Sequence, residues 1–118
     1  MNEPRAREVV ARERVRVESL LAELGSEIRA EGYLGRHQPR DRAEAGSPRE
    51  TESVSVALAA DLREQLAAVG RAEERIARGT YGRSVESGIL IPADRLEVEP
   101  LAERTVAEQR LYERRGSR

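Results

Sequence analysis

Two long apolar stripes at helical spacing constrain the fold of this 118-residue chain more than any other feature. The first stripe lies within about residues 4–31 and consists of Val10, Val17, Leu21, Leu24 and Ile28, with Arg14 in the remaining slot. The second lies within residues 48–78 and consists of Val54, Leu58, Leu62, Leu66, Val69 and Ile76. Neither helix can bury its stripe alone. The pattern therefore predicts an antiparallel coiled-coil hairpin within one chain, or a dimer in which the stripes meet.

The similar lengths of the two segments favour the hairpin, and local signals give its limits. Gly32 interrupts the first pattern and indicates the end of the first helix. The second helix begins with Ser47-Pro48-Arg49-Glu50, a capping box with proline at the first helical position. It ends in a basic turn followed by Gly79. Residues 1–78 are thus predicted to form the hairpin, with a tip loop at about residues 32–47.

Residues 79–118 do not continue the apolar stripe of a long helix, and we predict that they form a small C-terminal domain. Residues 81–91 predict a short β-hairpin around the turn Glu86-Ser87-Gly88. One helical turn at 92–96 and a last helix over about 100–114 follow. The predicted fold class is mainly α, with the helical hairpin preceding a zinc-ribbon-like domain.

Composition excludes several classes of protein. Charged residues make up 36% of the chain and hydrophobic residues 38%, and there are three Tyr but no Phe or Trp, so a thick core is not expected. The net charge of −1 gives no support for non-specific binding to DNA or membranes. No nucleophile–base pair or glycine-rich phosphate loop is visible, which argues against an enzyme. Without a signal peptide or an apolar run of about 18 residues, a cytoplasmic location is predicted.

Four positions have the spacing of a structural zinc site but not its ligands. Ser84 and Ser87 are three residues apart, as are Thr105 and Glu108, and seventeen residues separate the two pairs, as in C-x2-C-x17-C-x2-C. The chain has no cysteine. Hydroxyls bind zinc poorly and one carboxylate cannot hold it, so no zinc is expected. His37, the single histidine, is interpreted as an exposed loop residue because it lacks partner ligands.

Something must replace a metal that commonly contributes ~10 kcal/mol or more to a small finger. The expected replacement is apolar packing against Tyr81 and Ile76. The candidates for that packing are Ile89, Leu90, Ile91, Leu96, Val98, Leu101, Val106 and Leu111. In addition, the hydroxyls of Ser84, Ser87 and Thr105 are expected to hydrogen-bond to one another or to Glu108.

Many residues around this spacing coincide with a known pattern. They are Arg75-Ile76-x-x-Gly79-Thr80-Tyr81-Gly82, Gly88-x-x-Ile91-Pro92-x-x-Arg95-Leu96-Glu97-x-x-Pro100-x-Ala102 and Gln109. Over these roughly 35 residues the chain resembles the zinc-finger segment of the DksA/TraR family, bacterial regulators that bind RNA polymerase. The resemblance extends upstream, because such proteins place a long helical hairpin before the finger. It therefore covers nearly the whole chain.

The resemblance implies a mode of action. Family members insert the coiled-coil tip into the secondary channel of RNA polymerase, often together with the alarmone ppGpp, and modulate initiation without sequence-specific DNA binding. Their tip acids match Asp41 and Glu44, with Glu44 forty residues before Ser84. The second acid is Glu rather than Asp. Arginines surround the pair, so the alternative is two ordinary solvated loop acids.

A function of another class fits the same architecture. The chain could be a coiled-coil adaptor that docks on a different protein, or a protein that associates with itself. The sequence leaves open the oligomeric state, the need for ppGpp and the direction of any effect on transcription. The two hypotheses differ in whether the tip acids Asp41 and Glu44 are needed for function.

Overall fold

The computed structural model describes the backbone of residues 1–37 and 48–116, and the surroundings of side chains within 1–26 and 54–116. This part of the chain is mainly helical. Its helices are α1 (Glu3–His37), α2 (Pro48–Arg78), α3 (Ala93–Val98) and α4 (Val106–Gly116). In the parts described, no helix combines the length and the apolar character that crossing a membrane requires.

The limits of α2 agree with the sequence prediction, whereas α1 is longer than predicted. Helix α2 begins at Pro48 and ends before Gly79, whose φ of 77° is the left-handed conformation of a glycine stop. Helix α1 continues through Gly32 and ends at His37. A glycine in a helix interior costs about 1 kcal/mol, which by itself does not end a helix. His37 is therefore helical and not a loop residue, and its side chain lies outside the described residues.

The predicted β-hairpin is not present as a pair of strands in the described residues. Only one isolated antiparallel bridge joins Arg83 to Leu90. Two backbone hydrogen bonds flank it, from Ser84 N to Ile89 O at 2.8 Å and from Ile91 N to Gly82 O at 2.7 Å. The ladder goes no further towards the turn because the Ser84 carbonyl accepts from Gly88 N, at 3.0 Å, while Ile89 N donates to the Ser87 hydroxyl. The segment is thus a tight loop rather than a zinc-ribbon hairpin.

The last helix begins later than predicted. Helix α4 starts at Val106, six residues after Pro100. The backbone between them makes contacts that it could not make as a helix. The Pro100 carbonyl accepts from the Tyr81 hydroxyl at 2.8 Å, and the Glu103 carbonyl accepts from Val85 N. The prediction relied on proline as a helix starter and overlooked these tertiary partners.

The chain forms two compact units. The terminal unit comprises Met1–Glu13 and Ala68–Arg118, and the helical unit comprises Arg14–Ala67. The predicted domain boundary after residue 78 falls inside the terminal unit, because that unit includes the start of α1 and the end of α2. Each unit therefore has its own pairing of α1 with α2, in antiparallel order.

The helical unit is held by a narrow apolar seam. Its buried residues are Val17, Leu24, Ala59 and Leu62, and the partly buried Leu21 and Leu66 pack against them. At the edge of the seam, Arg16 donates to the side-chain oxygen of Gln65 at 2.9 Å. The α1 residues of this seam are those that the sequence predicted.

The start of the α2 stripe is displaced from its predicted position. Leu58 is 48% exposed and Val54 is 67% exposed, whereas Ala59 is buried. The predicted stripe stepped back from Leu62 by four residues twice, and each such step overshoots a full helical turn by about 40°. Alternating steps of three and four residues stay near one face and lead to Ala59 and Ser55, the latter half-buried. The prediction favoured the larger side chain over the better spacing.

Truncation of two leucines on α2 tests this seam. We expect Leu62→Ala, at a 5% exposed residue, to lower the free energy of unfolding by about 2–5 kcal/mol because it leaves a cavity. Leu58→Ala, one turn away and 48% exposed, should cost less than about 1 kcal/mol. Urea unfolding followed by circular dichroism measures both. Equal losses would show that the seam passes through Leu58.

Candidate functional site

The described part of the chain contains one of the two sites that the sequence predicts. The tip acids Asp41 and Glu44 lie outside the described residues. All four positions of the zinc spacing, in contrast, lie in the terminal unit and are described. We refer to Ser84, Ser87, Thr105 and Glu108 below as the four-position cluster.

The first half of this cluster is a turn organised by the hydroxyl of Ser84. Ser84 is 5% exposed, and it is the polar residue among those buried in the described structure. Its Oγ accepts hydrogen bonds from the backbone N–H groups of Glu86 at 3.1 Å and Ser87 at 3.2 Å. The Oγ of Ser87 accepts from Ile89 N at 3.3 Å. Gly88, at φ 76°, lets the chain turn back after the loop.

The second half is the start of α4. Thr105 precedes the helix, and its Oγ1 accepts from Glu108 N at 3.3 Å, while Glu108 Oε1 accepts from Thr105 N at 2.9 Å. These reciprocal bonds form a capping box. The signal T-x-x-E is visible in the sequence, but the sequence analysis interprets its residues as lost zinc ligands and hydrogen-bond partners and not as a helix cap.

The Glu108 carboxylate accepts its hydrogen bond within the second half, from Thr105 N. That backbone N–H is the main cause that lowers the pKa of Glu108 to about 2, and the neighbouring Ser87 and Ser84 hydroxyls add to it. The carboxylate is therefore ionised at neutral pH, where it accepts charge-assisted hydrogen bonds. Of the predicted hydrogen bonds between the hydroxyls and Glu108, the structure has one between the Thr105 hydroxyl and the Glu108 backbone N–H.

This donor set does not fit zinc. Structural zinc is bound by thiolates and imidazoles, and the ligands must lose their protons to bind. Here three positions are neutral hydroxyls whose oxygens accept hydrogen bonds from backbone N–H groups, and only Glu108 offers an anion. Among the residues described, no group of three or more His, Cys, Asp or Glu is placed to hold a metal ion.

The predicted apolar replacement for zinc is largely wrong. Ile91 and Leu96 are buried and Leu101 packs against the core, as predicted. The other candidates are exposed on the surface: Ile89, Leu90, Val98, Val106 and Leu111.

A charged clamp fastens the 100–105 segment to α2. The Glu103 carboxylate accepts from Arg71 at 3.0 and 3.2 Å and from Arg75 at 3.0 Å. The side chains of Glu103 and Arg75 are only 18% and 13% exposed. Within the described structure, Nε and Nη2 of Arg75 are buried without a hydrogen-bond partner, so the guanidinium depends strongly on Glu103.

Two further arginines hold the terminal unit together. Arg5 on α1 makes a bidentate pair with Glu97 at 2.9 and 2.6 Å, which holds the pKa of Glu97 below its ordinary value. The Arg104 guanidinium stacks over the Tyr112 ring, with its central carbon 3.8 Å from the ring centroid. The sequence analysis missed these pairs because their members are far apart along the chain and resemble ordinary surface charges.

An open cavity of about 460 Å³ in the terminal unit offers no catalytic arrangement. Glu3, Arg78 and Tyr81 are among its lining residues. Tyr81 donates its hydroxyl proton to Pro100 O, and partial burial raises its pKa, so it remains protonated. No nucleophile–base pair lies among these lining residues.

Neutralising the clamp should destabilise the terminal unit. We expect Glu103→Gln to lower the free energy of unfolding by about 2 kcal/mol, because it weakens charge-assisted bonds to a guanidinium that is largely buried. Glu99→Gln is the control, since Glu99 is 61% exposed and pairs with Arg95 at 3.5 Å; it should cost less than about 0.5 kcal/mol. Thermal and urea unfolding check both values. Equal effects would contradict the clamp.

The ionised state of Glu108 predicts a dependence of stability on pH. Its pKa falls from 4.5 to about 2 on folding, so its contribution is complete above pH 4.5 and is lost as the pH falls towards 2. The difference in unfolding free energy between the wild type and Glu108→Gln should therefore shrink over that range. Urea titrations between pH 7 and pH 2.5 measure it. A difference that is constant with pH would contradict the assignment.

Comparison with known proteins identifies the fold. No family model matches the chain, and no curated protein matches it in sequence. Among solved structures, the chain is similar to the transcription factor DksA2 from Pseudomonas aeruginosa, with a TM-score of 0.79 and 25% sequence identity. The match covers 98% of this chain and 86% of that one. The chain therefore has a DksA-like fold, as the sequence predicted, and its structural neighbour is a transcription factor and not an enzyme.

Proposed function

We propose that this chain is a DksA-like transcription regulator that acts by binding RNA polymerase. The observation that carries the proposal is its structural likeness to DksA2, a transcription factor, over nearly the whole of this chain. The motif of residues 75–109 supports it independently, because the motif consists of residue identities and does not depend on the fold. A cytoplasmic location and the absence of sequence-specific DNA contacts are part of the proposal.

In this proposal Asp41 and Glu44 contact the polymerase from the tip between the two long helices. Helix α1 ends at His37 and α2 begins at Pro48, so both acids fall within the connection 38–47. The pairing of α1 with α2 in the helical unit supports a tip of this kind. A carboxylate placed in the secondary channel can perturb metal-bound or arginine-rich catalytic elements without taking part in chemistry itself.

Neutralising the tip acids tests this assignment. We expect Asp41→Asn with Glu44→Gln to leave binding to core RNA polymerase within about threefold of wild type and to abolish the effect on promoter output. The reason is that the substitutions keep side-chain size and remove only charge. Binding is measured by co-purification and titration with core polymerase, and output by transcription in vitro with and without ppGpp, which also decides whether the alarmone is needed.

The chain offers a control with matched spacing and charge. Asp61 and Glu64 repeat the D-x-x-E spacing on the exposed side of α2, and Asp61 accepts only a short-range bond from Gln65 at 2.8 Å among those resolved here. Asp61→Asn with Glu64→Gln should leave both binding and output unchanged. Unchanged output in the tip variant would exclude the tip mechanism. Failure of the wild type to bind polymerase would exclude the proposed function and favour an adaptor or self-associating protein.

A further inference from the structure

We propose that one face of α4 is a docking surface for an acidic patch on a protein, which in the function proposed above belongs to RNA polymerase. Four residues form this face, which we call the arginine face: Arg110, Leu111, Arg114 and Arg115. The choice of partner rests on the proposed function. The inference goes beyond that function because it assigns a second contact to a part of the chain other than the tip.

The spacing of the four residues places them together on the helix surface. Arg110 and Arg114 are four residues apart, as are Leu111 and Arg115, so the two pairs form neighbouring rows. All four side chains are exposed, and Leu111 is 48% exposed. Leu111 is a helical neighbour of both Arg114 and Arg115. The arginine face therefore surrounds one apolar side chain with three positive charges.

The other side of α4 has its contacts within the chain. Glu108 and Gln109 are partly buried, and Gln109 donates to the Glu113 carboxylate at 3.1 Å. The ring of Tyr112 lies under the Arg104 guanidinium. The two acids of the helix thus belong to the side that makes these contacts, and its arginines belong to the side that does not.

The three arginines differ from the other arginines of the terminal unit. Among the described residues, Arg110, Arg114 and Arg115 have no hydrogen bond, ion pair or ring contact. The other arginines described in this unit each contact an acid, a backbone carbonyl or an aromatic ring; they are Arg5, Arg7, Arg12, Arg71, Arg75, Arg78, Arg83, Arg95 and Arg104. The arginine face therefore has a positive potential although the net charge of the chain is −1.

Helix α4 adds little to the core of the terminal unit. It has 11 residues and none of them is buried. An isolated helix of this length is marginally stable in water, because most helices are stabilised by packing of an apolar face. A partner that covers Leu111 and neutralises the arginines would supply that packing, as in the binding of a helix in a groove.

The composition of the face favours an acidic protein over two other partners. Phosphates of a nucleic acid would pair with the arginines but would give Leu111 no apolar contact. A second copy of this chain is disfavoured because the acids described in the terminal unit are largely taken up internally, as Glu97 is by Arg5. A protein surface can offer carboxylates and an apolar depression together.

The primary test removes the charge of the arginine face and measures the affinity for core RNA polymerase. We expect the triple variant Arg110→Gln, Arg114→Gln, Arg115→Gln to raise the Kd at least about tenfold, because arginines at interfaces contribute strongly to binding. The affinity of the variant should also depend less on salt concentration than that of the wild type. Circular dichroism and thermal unfolding should be unchanged, since these side chains are exposed.

The terminal unit offers a control with the same change of net charge. Arg7, Arg12 and Arg78 are about 70% exposed, and each pairs with a glutamate four residues away. Their replacement by Gln should change the Kd less than about threefold. Lysine at the three positions of the arginine face keeps the charge and should bind more tightly than the glutamine variant. Equal binding of the lysine and glutamine variants would contradict a role for charge.

The apolar part of the face has its own test. We expect Leu111→Ala to raise the Kd several-fold, because Leu111 loses its contact with the partner. Leu90→Ala, at a 64% exposed residue outside α4, is the control and should leave the Kd unchanged. Equal Kd values for the two variants would overturn the assignment of Leu111.

Promoter output separates this surface from the tip. At concentrations that saturate the polymerase, the triple variant should keep the effect on transcription that the variant of Asp41 and Glu44 loses. If wild type binds polymerase and the triple variant binds it as tightly as its control does, the docking surface is excluded and the proposed function stands. If wild type does not bind polymerase, the proposed function and this partner are both excluded.

Two further measurements decide between the partners. Wild type is titrated with duplex DNA and with single-stranded RNA, and its oligomeric state is measured by sedimentation. We expect a monomer that binds polymerase more tightly than either nucleic acid. Tighter binding to nucleic acid, or a dimer, that is lost in the triple variant would assign the arginine face to that other partner and overturn the proposal.

Discussion

The contact of α1 with α2 through Val9, Val10, Val69 and Ala72 is the interaction on which the rest of the terminal unit is built. These side chains are small, so the seam is narrow, and only Ile76, Tyr81 and Leu101 add partly buried apolar surface to it. A chain with three Tyr and no Phe or Trp cannot extend such a core far. The segments after α2 are therefore attached by a few buried apolar side chains, such as Ile91 and Leu96, together with polar contacts.

Several polar contacts in the terminal unit connect segments that a single metal ion would otherwise connect. Zinc joins four ligands through a single centre that contributes strongly to folding. Here the Val85 N–H joins the loop to the Glu103 carbonyl, the Glu103 carboxylate joins the 100–105 segment to α2, and Glu97 joins α3 to α1. Each contact is weaker than a metal centre. This division explains why carboxylates recur in the terminal unit at positions that bind arginine or backbone N–H groups.

The sequence predicted the fold where a signal is local and failed where partners are distant. The limits of α2 could be predicted because Pro48 and Gly79 act through their own backbone geometry. The exposed Leu58 shows the opposite case, because hydrophobicity alone cannot tell a seam residue from its neighbour one position away. The clamp at Glu103 could not be predicted, since nothing in the sequence distinguishes it from a solvated acid. The capping box at Thr105 could have been predicted, and its overlap with the zinc spacing concealed it.

The overlap of capping box and zinc spacing has a physical basis. In a C-x2-C pair at the start of a helix, two side chains three residues apart point to one centre. In T-x-x-E the same spacing lets the Glu side chain reach back to the backbone N–H of the Thr. A change from thiolates to Thr105 and Glu108 therefore keeps the start of α4 and the direction of both side chains. Ser84 and Ser87 differ from thiolate ligands in the same way, because their hydroxyls accept backbone N–H bonds within the loop. The backbone of the small domain can thus remain DksA-like although these four positions form hydrogen bonds within their own segments.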